Sequence, residues 1–542
     1  LSRATHKLIS RLAPHARQLL ILGVAMSLGQ AATLIQRPLA SITPDTADYT
    51  FAMHLIHLNP LTGLVQPFRT PGYPLFLALV FHLAGGVNDT FLAGCDRLGA
   101  IPACAPTFQP IVLAQALVAL LTLLEVYLLL TRLTERRWVA CAVASLLALN
   151  LYLLSWERVA LTELLSFWSL VTVFLALERF VRAPSRTRGA LLAAALFLAI
   201  MIRPFNLYLP LLLFPLLLLR LLVTRRLRQE GMSLALSAAL LLGGLLGYAG
   251  LNAGLNGYLG LTNVQNINLL GKVMEYHMQR VPVEPRYQPI QAELQAYMRT
   301  GAKDPWGFVE TYHHEDNNYR AVGDYARSVV LHQPLTFAVL SLPDLYVAWH
   351  AEEKLYAPYQ LAKGGPDLVE IQPIVGVNEY WTVLGNVPAR YEPGWVTGLL
   401  VLSTYEQSLY ALLPVCLLVL GVWLARRPRD RQAALLLAIL LAVCAGIVLS
   451  AMGNYTEFYR TRFPMDWGMI AVSTTLIFEA IALLWSSPRA PLAATILAAS
   501  DDDQPTERLA VGWQADASAE SAPAPGLFAR VRRRLLKAVP LR

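Results

Sequence analysis

Gln18-Leu-Leu-Ile-Leu-Gly-Val-Ala-Met-Ser-Leu-Gly-Gln-Ala-Ala-Thr-Leu-Ile-Gln36 is apolar almost without interruption, and Arg3, Lys7, Arg11 and Arg17 precede it. About twenty such residues at 1.5 Å rise cross the ~30 Å hydrocarbon layer of a bilayer. A secretory signal begins the same way, but no small-residue cleavage site follows and Asp45 arrives soon after, so the run reads as a retained first span. The rest of the chain has the same character: of 542 residues 56% are hydrophobic and only 15% charged. Such a chain cannot hide its apolar side chains in one soluble core and must use lipid as its solvent. A formal charge of +8 would point to nucleic acid in a soluble protein. Here cationic loops on the cytoplasmic side account for it, and no nucleic-acid partner is expected.

Further spans are expected at about Gln109 to Thr131, Trp138 to Trp156, Thr162 to Phe180, Gly189 to Ile202, Leu207 to Val223, Met232 to Leu251, Gly398 to Ala425, Gln432 to Met452 and Asp466 to Ser486. The expected fold class is therefore an all-α polytopic membrane protein of about ten transmembrane helices, with juxtamembrane helices in the first outer loop and a large external segment. Pro71 to Gly85 is short for a span and opens on Pro-Gly-Tyr-Pro, so it is read as lying in or dipping into the outer interface. Arginine placement tests this. If Pro71 to Gly85 does not cross, one face collects Arg132/Arg136/Arg137, Arg179/Arg182/Arg186/Arg188, Arg220/Arg225/Arg226/Arg228 and Arg426/Arg427/Arg429/Arg431. If it crosses, that bias is lost. Both termini are accordingly expected in the cytoplasm, in a prokaryotic plasma (inner) membrane, with Arg69, Arg158, Arg203, Arg460 and Arg462 left in short loops on the external face.

The chain divides into an N-terminal transmembrane module (1–251) holding the first outer loop (37–108), an external segment (252–396), C-terminal transmembrane helices (397–486) and a cytoplasmic tail (487–542). The external segment contains the amphipathic run Ala326 to Leu340, broken at Pro334, and the aromatics Tyr346, Trp349, Tyr356, Tyr359, Tyr380 and Trp381. A cap resting on the outer leaflet and a small folded domain both fit it. In the tail, Ser500 to Pro525 has the composition of a disordered chain, and Gly526 to Val539 is a basic amphipathic helix suited to an anionic leaflet. Cys141, Cys416 and Cys444 fall within spans as packing residues, while Cys95 and Cys104 lie outside, where an oxidising compartment would allow a disulfide.

The chemistry is sought in the first outer loop, where Thr43-Pro44-Asp45-Thr46-Ala47-Asp48-Tyr49 is followed by Arg69-Thr70-Pro71-Gly72-Tyr73-Pro74-Leu75-Phe76. Two carboxylates, a tyrosine and an arginine meet there in a protein that otherwise avoids charge. Asp45 also precedes apolar residues at helical spacing (Tyr49, Met53, Ile56), so capping is an alternative role, with Asp48 favouring the helix dipole.

In these stretches the sequence resembles the type C glycosyltransferases that use lipid-phosphate sugars, the membrane group of protein O-mannosyltransferases and lipid A aminoarabinose transferases. The motifs are Pro44-Asp45 with Tyr49, Arg69-Thr-Pro-Gly-Tyr-Pro-Leu-Phe, Glu157-Arg-Val-Ala-Leu-Thr-Glu163, Ile202-Arg203-Pro204 and Glu457-Phe-Tyr-Arg460-Thr-Arg462-Phe-Pro464. They fall in the expected order on one membrane face and cover the first 210 or so residues best.

The resemblance implies that a polyprenyl-phosphate sugar in the outer leaflet passes its sugar to an unknown acceptor hydroxyl or similar nucleophile. Such a nucleophile needs a carboxylate to take its proton, and Asp45 is the candidate base. The leaving lipid phosphate is already a stable anion, so cations matter more than a general acid; Arg69, Arg203, Arg460 and Arg462 are the candidates. Asp48, Tyr49, Tyr73 and Glu163 complete the candidate substrate-binding set, Glu163 holding Arg203 or a substrate hydroxyl, or capping its helix. Direct attack would invert the anomeric configuration.

Each external arginine also has a plainer reading, snorkelling to lipid headgroups. A divalent metal is possible, since some relatives use one, but Asp45 with Asp48 offers too few oxygens, and none is expected to be required. His313-His314-Glu315-Asp316 reads as a solvated loop, and His54 and His57, one turn apart, as interface residues. The competing reading is a transporter or flippase of a lipid-linked or anionic solute, for which Glu125 and Glu479 inside spans speak.

Overall fold

The computed structural model describes residues 13–36, 40, 44–86, 105–312, 319–350, 394–403, 409–453 and 458–485. Cys95, Cys104, the 313–316 cluster, Tyr356, Tyr359, Tyr380, Trp381, Glu457 and the tail lie outside these residues. Every regular element among the described residues is helical.

In chain order the α-helices are α1 (Ala16–Gln36), α2 (Pro44–Leu58), α3 (Pro60–Leu64), α4 (Gly72–Leu83), α5 (Gln109–Thr134), α6 (Arg137–Ala148) and α7 (Leu151–Ser155). There follow α8 (Glu163–Arg182), α9 (Arg186–Ile202), α10 (Tyr208–Val223), α11 (Leu227–Asn256), α12 (Val264–Glu275), α13 (Gln288–Arg299) and α14 (Pro305–Tyr312). The last are α15 (Arg320–His332), α16 (Pro334–Leu340), α17 (Leu342–His350), α18 (Gly394–Ser403), α19 (Leu413–Arg426), α20 (Arg431–Gly453) and α21 (Phe458–Trp485).

Among the described residues six helical stretches are long and apolar enough to cross a membrane: Ala13–Ile35, Gln109–Thr134, Glu163–Arg182, Pro204–Val223, Leu227–Asn256 and Arg431–Gly453. The protein is a polytopic, all-α membrane protein. The count of about ten rests on elements of other kinds as well. The stretch expected as one span from Trp138 to Trp156 is interrupted between α6 and α7, where the Asn150 side chain accepts from the Leu153 backbone at 3.1 Å. An asparagine that bonds the backbone locally competes with the helix ladder, which is why the span divides there. Pro71 to Gly85 forms the twelve-residue helix α4, short of a bilayer's thickness.

Contacts at the helix ends sort the arginines. Arg137 Nη1 donates to the Pro14 carbonyl at 2.8 Å, Arg431 Nη1 to the Arg182 carbonyl at 3.1 Å, and Gln432 Nε2 to Glu135 Oε1 at 3.0 Å. Arg136 pairs with Glu479 at 3.1 Å. The arginine-rich loops thus share one end of the bundle, and the first-loop motifs lie at the other.

On that other end the 252–396 segment builds a hydrophobic core of its own from residues such as Ile267, Leu294, Phe308 and Val322. The amphipathic stripe of α15 (Val322, Tyr325, Ala326, Val329) is buried in this core. It is the following residues, Leu331, Leu335, Val339, Leu342 and Tyr346, that remain exposed. The folded reading therefore describes α15. Lys272, fully buried, ties α12 to α17 through Asp344 at 2.6 Å and also pairs with Glu275 at 2.9 Å.

Candidate active site

The segment after α1 folds back on itself because its two halves carry opposite charge. Asp45 and Asp48 stand one turn apart on α2, so both carboxylates face the same way. A single guanidinium nitrogen, Arg69 Nη2, donates to Asp45 Oδ1 at 2.6 Å and to Asp48 Oδ2 at 2.5 Å. The guanidinium carbon also lies 4.8 Å from the ring centres of both Tyr49 and Phe68. Burial opposes the charge on Arg69, but Asp45, Tyr49 and Asp48 together hold it charged, above its ordinary range. Asp45 keeps 21% of its side chain exposed, so it is neither sealed away nor out in solvent.

Arg69 is held in place from its own backbone. Each carbonyl of the residues ahead of it is engaged: Val65 by Asn256 Nδ2 at 2.9 Å, Gln66 by the Tyr248 hydroxyl at 3.4 Å, Pro67 by the Asn263 amide at 2.6 Å and Phe68 by Thr262 Oγ1 at 2.9 Å. Trp306 packs edge-on against Phe68, with ring centres 5.6 Å apart. Sequence reasoning missed this cradle. Its one legible trace is Asn252 and Asn256, a turn apart at the end of an apolar helix, which bond each other at 2.9 Å.

Tyr73 joins the first loop to the bundle. Its ring meets Tyr49 edge-on at 5.0 Å, and its hydroxyl donates to Gln115 Oε1 at 2.9 Å. Gln115 in turn donates to the carbonyls of Glu157 and Val159, both at 2.8 Å. Burial, then the negative charge of Glu163 and the neighbouring Tyr49 phenol, push the Tyr73 phenol well above its usual value, so it stays a neutral donor. Gly72 makes this approach possible: a Cβ there would sit 2.6 Å from the Met201 carbonyl oxygen and 2.7 Å from Ile202 Cα. That contact sets α4 against the end of α9, just where Arg203 follows.

Arg203 pairs with the fully buried Glu163 at 3.6 Å. Asn206 steadies the turn by donating to Ser166 Oγ at 3.1 Å and to the Ala199 carbonyl at 2.9 Å. Asp45, Asp48, Tyr49, Arg69 and Tyr73 are thus brought into one cluster, with Glu163 and Arg203 beside it. Arg462 is placed in a different arrangement. Only 2% exposed, it pairs with Asp466 at 2.9 Å, donates to the Ala348 carbonyl at 3.1 Å and lies 4.5 Å from the Tyr410 ring centre, while the Tyr410 hydroxyl also donates to Asp466. The side chain of Arg460 lies outside the described residues.

Glu157 is fully buried, accepts from Gln30 Nε2 at 2.6 Å and faces Arg158 Nε at 3.8 Å. Burial pushes its carboxyl up from 4.5 to about 7, against the lowering influence of Gln30 and Arg158. The folded chain therefore holds this proton more tightly than the unfolded chain. Its stabilising contribution is full below the unfolded value, declines as pH rises between the two, and is lost above about 7. Across that window the loss is on the order of 3 kcal/mol. The thermal midpoint of the purified protein is expected to fall between pH 5 and pH 8, and Glu157→Gln to flatten that fall; equal slopes in the two proteins would clear Glu157 of the effect.

A hard cation takes about six oxygens, whereas Asp45 and Asp48 converge on Arg69, which already supplies positive charge between them. Among the described residues no three His, Cys, Asp or Glu side chains are grouped as metal ligands. What the arrangement does offer is a partly exposed carboxylate beside fixed cations and phenols. Such a set suits proton abstraction from a hydroxyl next to a developing anion.

No family model and no curated protein matches the chain. Solved structures similar to it include the oligosaccharyltransferase AglB of Archaeoglobus fulgidus in complex with an inhibitory peptide and a dolichol-phosphate (13% identity, TM-score 0.41, covering 90% of this chain and 52% of that one). Others are ArnT of Cupriavidus metallidurans in the apo state (14% identity, TM-score 0.30, covering 87% of this chain and 79% of that one) and the same protein bound to undecaprenyl phosphate (13%, 0.32, 85% and 78%). The chain spans about half the length of the archaeal enzyme it resembles. AglB and ArnT are glycosyltransferases of the type C fold, the group whose motifs this sequence resembles.

Proposed function

We propose that this protein is a membrane glycosyltransferase that moves a sugar from a polyprenyl-phosphate donor to an acceptor at the external face of a plasma membrane. The observation that carries this reading is the contact of Asp45 with Arg69 at the end of the bundle away from the arginine-rich loops. In the reaction Asp45 takes the proton of the acceptor hydroxyl as its oxygen attacks the anomeric carbon, and the bond from that carbon to the lipid phosphate oxygen breaks. Arg69, whose Nε has no hydrogen-bond partner among the described residues, turns its remaining donor toward the charge that develops. Asp48, Tyr49 and Tyr73 keep that guanidinium oriented, and Glu163 with Arg203 forms the adjoining wall. No metal takes part in this scheme.

Transport is the weaker reading. Glu479 pairs with Arg136 at the arginine-rich end, and Glu125 accepts from Thr172 at 2.9 Å, so neither stands open in a central path. The purified chain in detergent, given a panel of polyprenyl-phosphate sugars and short-chain alcohol or glycan acceptors, is expected to release polyprenyl phosphate from at least one donor. No release from any donor, together with movement of intact donor across vesicles, would favour transport instead.

A further inference from the structure

Four buried or half-buried arginines are described at the site's end of the bundle, and each stands near an acid. Arg69 has Asp45 and Asp48, Arg203 has Glu163, and Arg462 has Asp466. Arg158 differs. It is only 3% exposed, yet its buried Nε and Nη1 make no hydrogen bond among the described residues, and its nearest carboxylate oxygen is that of Glu157, 3.8 Å from Nε. An ionised guanidinium kept from water without hydrogen-bond acceptors is costly, and a fold holds one there when something else supplies the acceptors.

Its surroundings lie between the site's two halves. Thr46, the residue after Asp45, donates to the Ala160 carbonyl at 3.0 Å and so fastens the 157–160 segment to the start of α2. Gln115, which holds Tyr73, grips the same segment through Glu157 and Val159. On the other side Trp156 packs against Phe463, with ring centres 5.1 Å apart, beside Arg462.

We propose that Arg158 holds the phosphate anion of the substrate, taking one or two of its oxygens through the N–H groups that have no partner among the described residues. The planar guanidinium suits paired contacts to phosphate oxygens. This rests on the glycosyl-transfer reading for the identity of the lipid, but the anion site itself does not.

The test measures binding of farnesyl phosphate, farnesol and inorganic phosphate to the full chain in detergent, alongside sugar transfer. Arg158→Gln is expected to weaken farnesyl phosphate binding about 30-fold, the loss of a charge-assisted hydrogen-bonded pair, and to leave farnesol binding unchanged. Arg158→Lys should recover part of the loss. Glu157→Gln/Arg158→Gln guards against misfolding from a stranded carboxylate, and should show the same loss with a wild-type elution profile. Competition by millimolar inorganic phosphate would identify a site for the bare anion, and its absence a site that also needs the lipid; both support an anion at Arg158. Undiminished farnesyl phosphate binding in a folded variant overturns the proposal. If the wild type binds farnesyl phosphate through Arg158 but transfers no sugar, the transfer reading falls and the anion site stands. If wild type and Arg158→Gln transfer sugar equally well, the transfer reading stands and the anion site falls.

Discussion

Asp45→Asn is expected to lower polyprenyl-phosphate release by about 10³-fold, within the range that positioned general bases contribute. The substitution separates two roles that share one residue. Asp45 stands in the first turn of α2, where the amide forgoes only a favourable interaction with the helix dipole of about 0.3–1 kcal/mol. The amide oxygen also still accepts from Arg69 Nη2, now 2.6 Å from the carboxylate. The capacity to take a proton is lost together with one of the two negative charges on Arg69. A variant with wild-type thermal midpoint, donor affinity within about threefold and turnover reduced by three orders of magnitude would assign Asp45 to the chemical step. Asp48→Asn should cost far less, since Asp48 is the more exposed of the pair and serves to aim Arg69. Turnover in Asp45→Asn within about fivefold of wild type would leave Asp45 as a partner of Arg69 alone and send the search for the base to another carboxylate.

The bundle was legible in the sequence because lipid imposes a length and a composition on anything that crosses it. The core of the site was legible for a different reason. Asp45, Asp48, Tyr49, Arg69 and Tyr73 lie within a short span of sequence, in a loop whose charges have few other partners. The cradle of Asn256, Thr262, Asn263 and Trp306 was not, because a polar residue at a helix end does not disclose which distant loop it meets. The same limit hid the state of the arginines. Arg462 is neutralised four residues along its own helix by Asp466, a spacing the sequence displays. Arg158 stands 3.8 Å from the acid next to it in sequence, and two of its nitrogens make no hydrogen bond among the described residues. Helical periodicity likewise showed that α15 has an apolar face, yet could not tell whether lipid or a second protein core covers it.

Arg69→Ala is expected to reduce turnover by 10² to 10³, roughly the cost of removing one donor aimed at a developing anion in a low-dielectric site. Two losses contribute, and a double-mutant cycle with Asp45→Asn resolves them. Without Arg69 the carboxylates of Asp45 and Asp48 face one another with no cation between them. Mutual repulsion then favours sharing a proton, and a base that already carries a proton cannot accept one. If Arg69 acts by keeping Asp45 ionised and aimed, the combined variant should be little slower than the slower single variant, because residues that act as a unit lose their function once. If Arg69 acts on the phosphate independently of Asp45, the two losses multiply to about 10⁵ or more. Arg69→Lys discriminates further. A lysine restores the charge but not the planar fork that reaches Asp45, Asp48 and a phosphate together. Recovery of donor affinity without recovery of kcat would then place Arg69's main effect on the geometry of Asp45. Full activity in Arg69→Ala would separate the arginine from the reaction and leave it as the electrostatic clasp of the segment after α1.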